Sequence, residues 1–376
     1  MKTLILSCTT GEGHNSCARA IKEYYDAMGE SCTVADSLSF VSEEVSRLIA
    51  RGHLFIYRKL SPLFEWGYEL AEHHPEKFDE DSRLYHFFAR GAEDLYQYIL
   101  RQNFDCVLCT HPFSAMMLTA VRRRYDLLAV TGFVATDYTC CPGVNCSDLD
   151  LYFIPDETLI PEFAAQGIPE EKLRPSGIPI RQAFFSGLPE ENAKEAVGIV
   201  PDHAHLVLAC GSMGCGPMEE LSEVLAPSLD EKTDLTIVCG TNEKLLESML
   251  DLHRNRANVH VKSFVRNMPL LLESADLYIT KPGGLSITEA MARNVPMVLV
   301  NAVGGCENYN LEHLLDQGRA RTGETVEELV EACLEMLRTP PKPTEAWRPQ
   351  QNAAPIIYET MKQRYEIHEK TAPART

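Results

Sequence analysis

The 376-residue chain has no run of 18 uncharged apolar residues, which excludes a helix spanning a bilayer. It opens on Leu4-Ile5-Leu6 with no basic segment or cleavage pattern, so no secretory leader is expected and the sequence reads as cytoplasmic. Basic residues are scarce: 35 Lys and Arg stand against 54 Asp and Glu, a net charge of −19. An extended phosphate backbone would find nothing to neutralise it, and nucleic acid is set aside as a partner. Familiar zinc spacing is missing too, since Cys140, Cys141 and Cys146 cluster without a fourth ligand. Cys106-Val-Leu-Cys109 has redox spacing but lies inside a strand pattern, where a buried pair is expected. Most of the thirteen cysteines sit in apolar strands in this way, as in a reducing compartment.

What is present is a strand–loop–helix plan, repeated. A hydrophobic content of 45% with 24% charged residues is that of a globular protein, and the length allows two domains. Residues 3–8 form a strand pattern that runs through Gly11-Glu12-Gly13-His14 into a helix ending at Gly29. Further patterns are a helix over 82–102, a strand over 105–110 ending at His111, a helix over 114–124, and a strand over 130–135 ending at Thr136-Asp137. His111 and Asp137 both lie at strand ends, where open α/β sheets bind ligands. Asp148-Leu-Asp150 mimics a metal-binding pair, but Asp150 opens the strand 151–154, so both carboxylates read as structural and no metal is expected. Gly177–Arg181 precedes a loose stretch at 186–192, the expected domain boundary.

The second half repeats the plan. A strand over 206–210 enters Gly211-Ser212-Met213-Gly214-Cys215-Gly216, where three glycines allow a backbone to approach a pyrophosphate and Ser212 adds a donor. A helix then runs to Leu229. The strand at 236–239 leads to Gly240-Thr241-Asn242, and that at 258–261 to Ser263-Phe264-Val265. Residues 280–310 organise the whole. Leu277-Tyr278-Ile279 reaches Pro282-Gly283-Gly284 and a helix whose first turns carry Ser286, Thr288 and Glu289. Free N–H groups and the positive dipole end there face an anion, and Glu289 can accept from a hydroxylated ligand. A second strand, 295–300, opens into Gly304-Gly305-Cys306-Glu307-Asn308. Two such loops side by side would hold a nucleotide-linked polar ligand. Helices are expected over 324–337 and 345–368.

Residues 45–64 stand apart. Val45, Leu48, Ile49, Gly52, Phe55, Ile56 and Leu60 share one helical face and Arg47, Arg51 and Arg58 the other, with four basic and no acidic residues. The composition suits a membrane-surface helix, or equally a helix packed on its own sheet with a solvated basic face.

The 280–310 stretch and Gly11-Glu12-Gly13-His14-Asn15-Ser16-Cys17-Ala18 resemble the signatures of GT-B glycosyltransferases of the monogalactosyldiacylglycerol synthase and processive diacylglycerol glucosyltransferase type, related to the lipid II-forming N-acetylglucosaminyltransferase. The resemblance implies an α/β fold of two Rossmann-like, doubly wound domains facing a cleft. An acceptor domain over 1–182, a donor domain over 183–343 and a C-terminal helix over 344–376 that crosses back are expected. It implies an inverting, metal-independent enzyme that moves a hexose from a UDP-sugar to a lipid, diacylglycerol in the family, at the membrane surface. No cofactor is implied beyond the UDP-sugar substrate. His14 becomes the expected base, oriented or assisted by Asp137 or His111. Expected at the donor are Gly13, Arg181, Gly211, Ser212, Gly214, Gly216, Asn242, Phe264, Val265, Pro282, Gly283, Gly284, Ser286, Thr288, Glu289, Gly305, Glu307 and Asn308. Within these, Glu289 is implied to hold the ribose, Phe264 and Val265 the uracil, Arg181 the phosphates, and the Gly304–Asn308 loop the sugar. The family's Thr-Asp-Phe/Tyr motif is commonly followed by a histidine and a tryptophan. Here Cys140-Cys141-Pro142-Gly143 stands instead, and the acceptor stays open. A soluble or peptidoglycan-type acceptor, a UDP-sugar 2-epimerase and a non-enzymatic nucleotide-sugar sensor are the alternatives.

Overall fold

A computed structural model of the chain describes residues 1–8, 12–42, 81–187, 190–300, 305–341 and 351–371. The expected amphipathic helix at 45–64, Gly11 and Gly304 lie outside the described residues. Two compact units emerge, one of Met1–Gln182 with Gln351–Thr376, the other Ala183–Gln350.

The first unit contains β1 (Lys2–Ser7), α1 (Glu12–Ala27), β2 (Ser31–Asp36), α2 (Arg83–Phe88), α3 (Ala92–Gln102), β3 (Cys106–Cys109), α4 (Pro112–Arg124), β4 (Val130–Val134), β5 (Leu151–Ile154), α5 (Ile160–Ala165) and β6 (Leu173–Pro175). Its six strands are parallel in the order β2-β1-β3-β4-β5-β6. Strands β3, β4 and β5 are buried along their whole length, the pattern of strands covered by helices on both faces. Cys106 and Cys109 are both buried in β3 as free thiols, and burial pushes both thiol pKa values up.

The second unit contains α6 (Glu190–Val197), β7 (Ala204–Leu208), α7 (Met218–Leu225), β8 (Thr233–Val238), α8 (Glu243–Leu252), β9 (Val259–Lys262), α9 (Met268–Glu273), β10 (Leu277–Thr280), α10 (Gly284–Ala292), β11 (Met297–Leu299), α11 (Cys306–Asp316), β12 (Ala320–Thr322) and α12 (Val326–Arg338). Its sheet runs β12-β11-β10-β7-β8-β9, all parallel. That is the doubly wound order, with the direction of winding reversing between β7 and β10. Its core packs Leu206, Leu208, Ile237, Ile279 and Val298 of the strands against Met218, Leu221 and Leu225 of α7 and Leu329 and Cys333 of α12. The last helix, α13 (Ala353–Thr371), returns to the first unit, where it lies against α1 and β4.

Three helices depart most from the sequence reading. The helix expected over 82–102 is two, joined by a 3-10 turn at Ala89–Gly91. Gly91 sits so close to the Phe40 backbone that a Cβ would come within 2.9 Å of its carbonyl carbon, and the chain steps around that contact. The helix after the glycine loop ends at Leu225 rather than Leu229, because Pro227 cannot continue it and a 3-10 turn takes over. The last helix, expected from 345, starts at Ala353 within the described residues, where Asn352 accepts from Ala354 N at 3.1 Å.

Candidate active site

In the first unit the winding reverses between β1 and β3, and α1, β3 and β4 bring three side chains to their carboxyl ends. His14 lies in the first turn of α1 and is half-buried. Its Nδ1 is 2.7 Å from the Thr110 carbonyl oxygen. A carbonyl can only accept, so Nδ1 carries the hydrogen and Nε2 the lone pair. Thr110 also donates its hydroxyl to the His14 carbonyl at 3.2 Å, so one strand-end residue fixes both the ring and the backbone of the histidine. Thr136 Oγ1 lies 3.1 Å from the same Nδ1 and donates to Asp137 Oδ2 at 3.2 Å. The Asp137 carboxylate therefore reaches the imidazole through Thr136, not by direct contact. Burial lowers the His14 pKa from its ordinary 6.5, with the Asp137 charge and the Thr110 carbonyl pulling the other way.

His111 packs edge-on against His14, ring centroids 4.4 Å apart. Its own Nδ1 accepts from Phe113 N at 3.1 Å and caps α4, so that nitrogen is committed to the helix. Asp148 and Asp150 pair with Lys172 at 2.8 Å and Arg122 at 3.2 Å, and Asp150 accepts from both Thr131 N and Oγ1. Gly13 is exposed in the first turn of α1, and Arg181, half-buried, closes the first unit beside the buried Ile180.

In the second unit three helices start at the reversal between β7 and β10 or beside it: α7, α10 and α11. None has a side-chain cap; their N-cap residues are Pro217, Gly283 and Gly305. By contrast α8 is capped by Asn242 and α12 by a Thr325–Glu328 capping box. The ends without side-chain caps bring positive dipole ends to one edge of the sheet, an anion-binding arrangement.

Lys281 stands at the centre of that edge. It follows β10 and forms an ion pair with the buried Glu307 of α11. A Cβ on Gly211 would lie 3.2 Å from Lys281 Cε, and one on Gly283 would lie 3.2 Å from its Nζ and 3.6 Å from Glu307 Oε1. The glycines at 211 and 283 thus make room for the lysine. The sequence analysis gives Lys281 no role. The signal available was a cation set between a buried strand and a glycine turn.

The remaining expected donor residues divide by what their side chains do. Ser212 is half-buried on the β7 loop, Ser286 lies within hydrogen-bonding reach of the buried Tyr278 phenol, and Glu289 is close enough for its charge to act on that phenol. Thr288, fully buried, donates its hydroxyl to Gly284 O at 2.7 Å, so it serves its own helix rather than a ligand. Asn242 accepts from Leu245 N at 3.2 Å and donates to Gly214 O at 3.3 Å, tying two loops together. Gly214, with φ 56°, packs its α-carbon against the Cys239 carbonyl, so a side chain there would fill protein and not ligand space. Gly216 (φ 88°) is exposed. Pro282, buried, accepts from Asn310 Nδ2 at 2.9 Å through its carbonyl, which fixes the turn into Gly284. Phe264 is 54% exposed beyond β9, with Val265 half-buried next to it, a flat apolar face open to a planar base. Asn308 N bonds Gly305 O at 3.0 Å in the first turn of α11. No group of three His, Cys, Asp or Glu among the described residues has the geometry of a metal site.

Gly240 offers a stability test of this edge. Its φ is 61°, and a Cβ would run into the Ser212 carbonyl, which also accepts from Thr241 N at 2.8 Å. Gly240→Ala is expected to cost about 1–2 kcal/mol for the left-handed backbone alone. Urea unfolding should show that loss, and calorimetry a weakened nucleotide affinity as the Ser212 loop shifts.

Residues 14–180 match the family model for monogalactosyldiacylglycerol (MGDG) synthase, and residues 218–353 that for glycosyl transferases group 1. A processive diacylglycerol beta-glucosyltransferase of Staphylococcus saprophyticus is 24% identical over 366 residues, covering 96% of this chain and 90% of that protein. Among solved structures, MurG of Acinetobacter baumannii superposes with a TM-score of 0.61 at 15% identity, covering 96% of this chain and 99% of that one. A UDP-GlcNAc 2-epimerase from Neisseria meningitidis bound to UDP-GlcNAc gives 0.63 at 14% identity over 96% and 100%. At these identities the two structures speak for the fold, two Rossmann-like domains, and for nothing finer.

Proposed function

We propose that the chain is a glycosyltransferase of the monogalactosyldiacylglycerol synthase type, and that it transfers a hexose from a UDP-sugar to diacylglycerol, with inversion, making a glycolipid. The observation that carries the donor assignment is the cluster of three uncapped helix starts around Lys281. A diphosphate needs fixed N–H donors and a cation, and its charge grows as the UDP leaving group departs. Lys281, Ser212 and the start of α10 take that load. Glu289 receives the ribose hydroxyls and Phe264 with Val265 the uracil.

His14 supplies the other half. The acceptor hydroxyl gives its proton to Nε2 while its oxygen attacks the anomeric carbon, and the bond from that carbon to the phosphate oxygen breaks. The Thr110 carbonyl and Thr136 hold the ring at Nδ1 and leave Nε2 with the lone pair, and the charge that develops on the imidazole is stabilised by Asp137 through Thr136. Among the described residues no helix is long and apolar enough to cross a membrane. The basic, aromatic-flanked composition of 45–64 favours a lipid met at the membrane surface, with that segment as the docking element.

Incubation with labelled UDP-glucose, UDP-galactose and UDP-N-acetylglucosamine plus a lipid extract, followed by chromatography, should give a labelled glycolipid. Label confined to water-soluble product, or to a rearranged UDP-sugar, overturns the lipid acceptor. A narrower test falls on the ribose. Glu289→Ala removes a charge-assisted contact worth about 1.5–3 kcal/mol, so UDP affinity should fall by about ten- to a hundredfold in calorimetry. An unchanged affinity would move the ribose elsewhere.

A further inference from the structure

The loop after β7 contains a four-residue turn, Gly211-Ser212-Met213-Gly214, closed by a bond from Gly214 N to Gly211 O at 3.2 Å. The middle peptide of such a turn, Ser212–Met213, is the one that turn types I and II orient in opposite senses. Here its orientation is held from the neighbouring strand end. Thr241, in the loop after β8, donates to the Ser212 carbonyl twice, from its N at 2.8 Å and from its hydroxyl at 3.2 Å. A carbonyl oxygen has two lone pairs, and this one residue meets both. Gly240 lets the two loops come so close, since a Cβ there would run into the same oxygen. Met213 adds a second hold. Among the described residues other than glycine only Asn103 and Asn294 have positive φ, so Met213 lacks the left-handed backbone that a type II turn requires at its place.

A trans peptide carries its C=O and its N–H in opposite directions. With the Ser212 oxygen turned towards the β8 loop, the N–H of Met213 is turned away from it. Strand β7 lies between β8 and β10, so away from β8 is towards β10 and Lys281, whose Cε would lie 3.2 Å from a Cβ on Gly211. Gly214 N and Cys215 N are spent inside the loop, on Gly211 O and Cys210 O, whereas Met213 N makes no such bond among the described residues. The geometry points to the Met213 N–H as a donor to the diphosphate, with Thr241 as the positioning residue that aims it. A turn with this peptide reversed would offer the anion a carbonyl oxygen, and repulsion in place of a bond. The assignment deepens the donor site proposed above and rests on a diphosphate being bound at the Lys281 edge.

NMR on the full chain with isotope-labelled methionine tests the amide directly, and Met213→Leu identifies its signal. UDP, inorganic pyrophosphate and uridine are added separately. The Met213 amide should move downfield with UDP and with pyrophosphate, and stay in place with uridine. Calorimetry tests the positioning. Thr241→Val removes the hydroxyl and keeps the shape, so UDP should weaken by about two- to tenfold, the worth of one hydrogen bond. Thr241→Ser keeps the hydroxyl and should bind UDP as the wild type does. Uridine, followed through its own proton signals, should bind the wild type and both variants alike, because it brings no phosphate. A Met213 signal that ignores saturating UDP or answers to uridine, a Thr241→Val affinity equal to wild type, or an equal loss for uridine overturns the inference while the donor site stands. The wild-type signal decides the part of the amide even if the valine variant does not fold. If the wild-type chain binds neither UDP nor pyrophosphate, the donor reading itself falls.

Discussion

His14→Ala is expected to lower turnover by about 10²–10⁴, the usual contribution of a general base, with UDP affinity nearly intact because Ser212, Phe264, Lys281 and Glu289 all belong to the other unit. The orientation argument makes the expectation specific. With Nδ1–H held by a carbonyl, the neutral ring can offer only Nε2, and the neighbouring His111 spends its Nδ1 on capping α4. The pH profile carries the same information. Burial lowers the His14 pKa, so the base form predominates at and above pH 6.5 and is lost as pH falls through the lowered value. The acid limb of kcat/KM should therefore lie below pH 6.5. Asp137→Asn removes the charge that opposes the shift, and should move the limb further down. A limb above 6.5 in the wild type, or a His14→Ala enzyme retaining more than half of its turnover, would transfer the role to another group.

The second large effect is expected at Lys281. Glu307 is buried against it, so Lys281→Met strands a carboxylate, a loss of about 3–5 kcal/mol for a broken buried pair. It also removes the cation from the phosphate edge, and UDP affinity should fall by about ten- to a hundredfold. The two losses separate in the double variant Lys281→Met with Glu307→Gln. Neutralising both partners should restore most of the stability to urea, but none of the nucleotide affinity. Affinity that returns together with stability would make Lys281 a packing residue and leave the phosphates to the helix starts alone.

Lys281 also shows where sequence reading stops. Its partner lies 26 residues on, and nothing in the spacing says that the two meet. The same limit applies at Gly91, whose neighbours Phe40 and Met117 come from distant parts of the chain and break a helix whose periodicity looks continuous. Local signals fared better. Strand patterns at 130–135 and 151–154 and the glycine turn at 211–216 were legible because strand periodicity and left-handed backbone are written in neighbouring residues. Asn242 was open to a better reading from the same signals, as an asparagine directly before a helix favours the cap over a ligand. Thr110 and Thr136 could not be found, because their function is to hold His14, about a hundred residues or more away.

The return of α13 to the first unit has a consequence for how the chain folds. The second unit is one continuous segment and can close its core as soon as it has left the ribosome. The first cannot. Ile357, Tyr358 and Met361 are buried on it, and the Met361 sulfur would lie 3.3 Å from a Cβ on Gly132 in the middle of β4, more than two hundred residues earlier. Until residues 353–371 emerge, that face of the sheet is bare apolar surface in a chain made at roughly 5–20 residues per second. The unit whose strands are made first is thus finished last, by contacts of very long sequence separation, the kind that form slowly.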